Sequence, residues 1–87
     1  MNKIEFFTND RYLVLKTLYE HQIKINNVEI CPITQQETAD ALGCSKAKVN
    51  MVLNELIDND YVQIYNNTKG RYVLTEDAKK IMKKLKS

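Results

Sequence analysis

Nowhere in these 87 residues does an apolar run approach the roughly 20 residues a membrane helix needs. The opening stretch, MNKIEFFTNDRY, is charged throughout and too short of apolar residues for a signal peptide. The expected location is therefore cytoplasmic, with no membrane partner. Cysteine is scarce. Cys31 and Cys44 have no CxxC spacing, and the lone His21 is distant from both, which excludes a convincing zinc set or disulfide framework. Each thiol is expected to behave as a small apolar group in the core, so Cys44 is read as packing rather than as a redox switch. Glycine and proline number only two and one, and no linker, repeat or low-complexity tract interrupts the chain. With 44% hydrophobic residues it should fold, as one domain spanning 1–87. A catalytic set is missing too: no nucleophile beside a base, no glycine-rich phosphate loop, no metal-ligand cluster. Neither an enzyme nor a cofactor is expected. The formal charge of +2 permits nucleic-acid binding without arguing for it.

What is present is a succession of short, well-punctuated elements. Val14, Leu15, Leu18 and Tyr19 follow helical spacing in a first helix over about 9–22. Thr8 or Asn9 can cap it, with Phe7 against Tyr12 as a hydrophobic staple. Its end frays into the polar INN at 25–27. Val28–Ile33 alternates but contains Pro32, which lacks the N–H a central ladder needs, so at most a short edge strand is expected. Thr34 and Glu37 have the spacing of a capping box, opening a helix that runs to Leu42 and stops at Gly43. Ser45 caps the next helix, in which Val49, Val52, Leu53 and Leu56 form one buried stripe.

After Asp58 the period changes. YVQIY at 61–65 and RYVLT at 71–75 alternate around the turn-forming NNTKG, which predicts a β-hairpin. Tyr61, Tyr65 and Tyr72 are expected to pack it rather than to stack single strands. Thr75 caps a last helix over about 76–86, with Ala78, Ile81, Met82 and Leu85 along one face. The fold class is mainly α with a small β-hairpin (α+β). Its order is helix, strand, helix, helix, strand, strand, helix, which is that of a winged helix-turn-helix, with the helix-turn-helix at about 35–58 and the wing at about 61–75. Ala39 is small where the two helices cross, and Gly43 makes the corner.

Subtracting the core stripe leaves Ser45, Lys46, Ala47, Lys48, Asn50, Met51 and Asn54 exposed on helix 45–58. In a helix-turn-helix this is the face offered to the major groove. Asn pairs bidentately with adenine and Lys reaches guanine or phosphate, so Asn50 and Lys46 are candidate base readers. Lys48 is a candidate backbone contact, as are Gln35 and Gln36 at the start of the preceding helix. Lys69 and Arg71 flank the wing tip, where a hairpin reaches the adjacent backbone or minor groove.

At this point ITQQETADALGCSKAKVNMVLNELIDNDYVQIYNNTKGRYVLTEDAKKIMKKL resembles the DNA-binding core of MarR-type winged-helix bacterial regulators. The resemblance covers Ile33 to Leu85, with the helix at 9–22 fitting the family's preceding helix. Its specific parts are ETADALGCSKAKVNMVLNEL, NDYV entering the wing and YVLTEDAKKI leaving it. It implies a transcriptional regulator that binds double-stranded DNA through Lys46, Ala47, Asn50, Met51 and Asn54. Two features depart from the family: the wing reads NNTKGR where an Asp-x-Arg is usual, and the long flanking dimerisation helices are missing.

Other residues have plainer readings. Lys79, Lys80, Lys83, Lys84 and Lys86 suit a helix C-terminus and a solvated face. His21 suits the end of the first helix. Ile4, Phe6 and Phe7 either cover the core or form a homodimer patch, and the want of any other dimerisation element favours self-association. The alternative function is a winged helix used as a protein-interaction module in a replication, transcription or regulatory complex, which an exposed apolar patch through Met51 would favour. No operator and no small-molecule effector can be read from the chain.

Overall fold

The protein is described by a computed structural model covering residues 10–65 and 71–86, with side chains to Lys84. The proposed Thr8 or Asn9 cap, the Phe7–Tyr12 staple, the patch at Ile4, Phe6 and Phe7, the wing tip with Lys69, and the side chains of Leu85 and Lys86 lie outside the described residues. The described elements run α1 (Asp10–Glu20), β1 (Ile23–Ile25), β2 (Val28–Ile30), α2 (Gln35–Leu42), α3 (Lys46–Asp58), β3 (Val62–Ile64), β4 (Tyr72–Leu74) and α4 (Glu76–Lys86). This is the α+β winged-helix architecture, with one strand more than the sequence suggests.

The extra strand is β1. The first helix stops at Glu20 rather than Gln22, where the His21 N–H bonds back to the Leu18 carbonyl at 3.2 Å and tightens the last turn. His21 Nδ1 meets the Thr17 carbonyl at 2.7 Å, the helix-end role expected of it. The supposed fraying at 25–27 is a tight turn: Asn26 and Asn27 adopt φ of 50° and 66°, a left-handed pair matching the twist of a two-residue hairpin. Ile23 faces Ile30 and Ile25 faces Val28 across the ladder. Nor is β2 an edge. Cys31, just beyond it, exchanges both backbone hydrogen bonds with Tyr72 of β4, at 2.7 and 3.1 Å. That bridge joins the first hairpin to the wing, and Pro32 follows at the point where pairing ends.

The helix-turn-helix forms as its punctuation predicts. The Thr34 hydroxyl accepts the Glu37 N–H at 3.0 Å while the Glu37 carboxylate accepts the Thr34 N–H, also at 3.0 Å. These bonds hold the Glu37 carboxyl below its usual range, the Thr34 backbone contributing most and its hydroxyl next. Gly43 ends α2 at φ = 68°, donating its N–H to the Ala39 carbonyl. An added Cβ there would meet nothing within 4 Å, so glycine is required by the dihedral and not by space. Ser45 caps α3 through the Lys48 N–H at 3.1 Å. Asp60 at φ = 61° ends α3, with the Tyr61 N–H on the Leu56 carbonyl at 2.9 Å.

One core unites these pieces. Val14, Leu15 and Leu18 of α1 meet Ala39, the α3 stripe Val49, Val52, Leu53 and Leu56, then Val62, Tyr72 and Leu74 of the wing and Ala78 and Met82 of α4. Tyr12, Tyr19, Leu42, Cys44, Tyr61 and Ile81 pack around it half-buried. An Arg11–Glu55 ion pair ties α1 to α3, and Lys79 ties α4 to Glu29 of β2 at 3.1 Å. No helix among the described residues is long and apolar enough to cross a membrane.

Candidate nucleic-acid interface

Because α3 buries Val49, Val52, Leu53 and Leu56, the rest of its circumference is left to solvent. Residues four apart share a face, so Lys46, Asn50 and Asn54 form one row and Ala47 and Met51 the next. All five are exposed, the apolar Met51 at 57%. The first row opens onto a groove of about 370 Å³ between the start of α2, α3 and the wing. Gln35 and Gln36 form its opposite lip, while Leu53, Ile57, Ile64 and Tyr72 supply apolar walls. Five of the residues expected from the sequence therefore converge on one concavity.

Others are placed differently. Ser45 is exposed but committed to its cap. Lys48 leans away from the groove onto Asp10 of α1, with Nζ 2.9 Å from Oδ2. That hydrogen bond, and then the charge of Asp10, raises the Lys48 ammonium above its usual range. The lysine thus carries a resident counter-ion, which its spacing along the helix offers no reason to expect. Gln36 donates to Asp40 one turn along α2 at 2.9 Å. Arg71 is exposed immediately before β4. Lys46 makes no ion pair among the described residues.

Two features escaped the sequence reading. Ile64 is 45% exposed on the wing wall of the groove, although it shares its strand face with the fully buried Val62. More consequential is a side-chain bond across the corner: Gln35 Nε2 donates to Asn50 Oδ1 at 3.0 Å. Gln35 is the first residue of α2, so the amide on the exposed helix is held by the neighbouring helix. Both residues can be found by pattern, but their contact depends on the angle at which α2 and α3 cross. Among the described residues no cluster of three His, Cys, Asp or Glu is arranged to hold a metal.

No protein-family model matches the chain, and no curated protein matches it in sequence. Its fold is similar to the crystal structure of TTHA1359, a transcriptional regulator of the CRP/FNR family from Thermus thermophilus, with a TM-score of 0.70 and 20% sequence identity. The alignment takes in 97% of this chain and 45% of that one, so the chain spans less than half the length of its structural relative. At that identity the likeness establishes the winged helix-turn-helix fold.

Proposed function

We propose that the protein binds double-stranded DNA sequence-specifically, as a small transcriptional regulator, with α3 in the major groove and the wing against the flanking backbone or minor groove. The observation that carries this reading is the solvent face of α3. A row of Lys46, Asn50 and Asn54, with the small Ala47 beside it, stands clear of the core, a chemistry matched to base edges and phosphates. In this proposal Asn50 and Lys46 read bases, Met51 and Asn54 border them, and Ser45, Gln35 and Gln36 lie towards the backbone. Lys69 and Arg71 hold the flanking groove. Lys48 reaches phosphate by exchanging its Asp10 partner. The fold likeness to a transcriptional regulator supports the same reading, as do the stretches resembling MarR-type regulators, although the structural relative belongs to another family.

The charge available is modest. A copy neutralising about three phosphates gives a slope of about −3 in log affinity against log salt, so one copy binds weakly and a homodimer would bind usefully. The test is binding of the purified protein to random duplex DNA at low and moderate salt, followed by selection of enriched sequences. A steep salt dependence and an enriched palindrome are expected. Absence of binding at low salt would instead favour a protein-interaction module, a reading supported by the exposed Met51 on α3 and the exposed Ile64 in the groove wall.

A further inference from the structure

The bond between Gln35 and Asn50 bears on which base the helix selects. An asparagine amide has a donor end and an acceptor end, and a freely rotating one presents either. Here the acceptor end is claimed: Asn50 Oδ1 takes the Gln35 Nε2–H at 3.0 Å. This leaves one lone pair on Oδ1 and both Nδ2 protons for a ligand. That pattern, one acceptor beside a donor, complements the N6–H and N7 of adenine.

The anchor is firm. Gln35 is half-buried, and the backbone before it is fixed by the Thr34–Glu37 capping box and by the Thr38 hydroxyl on the Thr34 carbonyl at 2.9 Å. Its distance from Asn50 is set by the packed corner, where Ala39 and Val49 are fully buried. We propose that Gln35 is a specificity-determining positioning residue, which holds the Asn50 amide in the orientation that reads adenine at one base pair. This rests on the DNA-binding reading above. It assigns Gln35 a role distinct from a phosphate contact, because a phosphate contact is blind to sequence.

The consequence is a predicted change of preference. Gln35→Ala releases the amide and relaxes discrimination at that pair. Gln35→Glu does more: a carboxylate only accepts, so it draws Nδ2 towards itself and turns Oδ1 outwards, favouring a base that offers a donor, such as the N4 amino group of cytosine. The added negative charge lowers affinity for every duplex alike, and a preference, being a ratio of affinities, is unaffected by that loss.

The experiment selects duplexes from a random library with the wild type, Q35A, Q35E, N50A and the Q35A/N50A double variant. Affinities are then measured for the selected duplex and its single-base variants. Melting curves check that each variant folds. The wild type should prefer adenine at one pair by about tenfold or more. Q35A should lose most of that preference with the other positions unchanged, Q35E should shift it towards cytosine, and Q35A should add nothing to N50A. Two results overturn the proposal while leaving DNA binding intact: Q35A preserving the wild-type preferences, or Q35A weakening all duplexes equally on either Asn50 background. A wild type that binds no duplex removes the DNA-binding reading, and the role of Gln35 with it.

Discussion

At the α2–α3 corner the chain reverses through Gly43 at φ = 68°, and at the first hairpin through Asn26 and Asn27 at 50° and 66°. Both turns use left-handed residues, but they are secured differently. The corner is clamped on both sides by caps, at Thr34 and Ser45, and from beneath by the fully buried Ala39, Val49 and Leu53. Every residue of β1 is exposed, as are Asn26, Asn27, Val28 and Glu29, and the hairpin reaches the core only at Ile30 and Cys31. One turn is a consequence of the core, the other an appendage attached to it. The part that faces the groove is built on the first kind.

The two thiols report on these two regions, and the difference between them is the largest effect expected. Cys31, fully buried at the inner end of the hairpin, has its thiol pushed up to about 12, chiefly by burial. Cys44 lies half-buried at the corner. In the native protein near pH 8 an alkylating reagent should modify Cys44 at least about a hundredfold faster than Cys31, with the two rates converging in denaturant. If Cys31 reacted as readily as Cys44 without denaturant, its bridge to Tyr72 would be opening freely, and the hairpin would be far looser than the ladder implies.

Next in size is the cost of deleting apolar atoms. Leu56 is fully buried beneath α3, so Leu56→Ala should destabilise by about 2–5 kcal/mol. Ile25, 40% exposed on β1, should cost under about 0.5 kcal/mol when changed to alanine. Urea titrations of both variants measure the contrast. Equal losses would mean that the outer hairpin contributes to the core after all.

This asymmetry also explains how much could be read from the sequence. The corner was legible because its signals are redundant: the capping-box spacing, Gly43, Ser45 and the i, i+3, i+4, i+7 stripe all agree. The wing and α4 were legible for the same reason. β1 was not: Ile23-Lys24-Ile25 alternates as Val28-Glu29-Ile30 does, but three exposed residues are too few to separate a strand from a frayed helix end. The Asn–Asn pair between them reads equally well either way. In the candidate interface, exposure could be inferred by subtracting the stripe from α3. The Lys48–Asp10 and Gln35–Asn50 contacts could not, because each joins helices whose relative placement is set by the core.

The capping box offers a finer test of the corner. Thr34→Ala removes the hydroxyl that accepts the Glu37 N–H and should cost about 1 kcal/mol. Because the folded Glu37 carboxyl is held below its ordinary value of 4.5, the unfolded chain takes up its proton first on acidification. Its stabilising contribution is therefore complete above that value and is lost as the pH falls through the lower, folded one. Denaturation midpoints followed from neutral pH to about pH 3 should fall less steeply in Glu37→Gln than in the wild type. An unchanged acid limb would mean that the carboxylate bond to the Thr34 N–H adds nothing to the corner.

The smallest effect belongs to the hairpin turn, where the direction of change matters more than its size. Asn26 and Asn27 both tolerate left-handed dihedrals, but glycine adopts them without steric cost, and Asn-Gly is the favoured pair for a turn of this hand. Asn27→Gly should therefore raise stability by about 0.5 kcal/mol, readable as a small upward shift of the melting temperature. It should also slow modification of Cys31, since the register of β1 and β2 ends at that bridge. A gain in stability with no change at Cys31 would show that the turn and the bridge open independently. A loss of stability would mean that the Asn27 side chain, and not its dihedral alone, holds the hairpin in place.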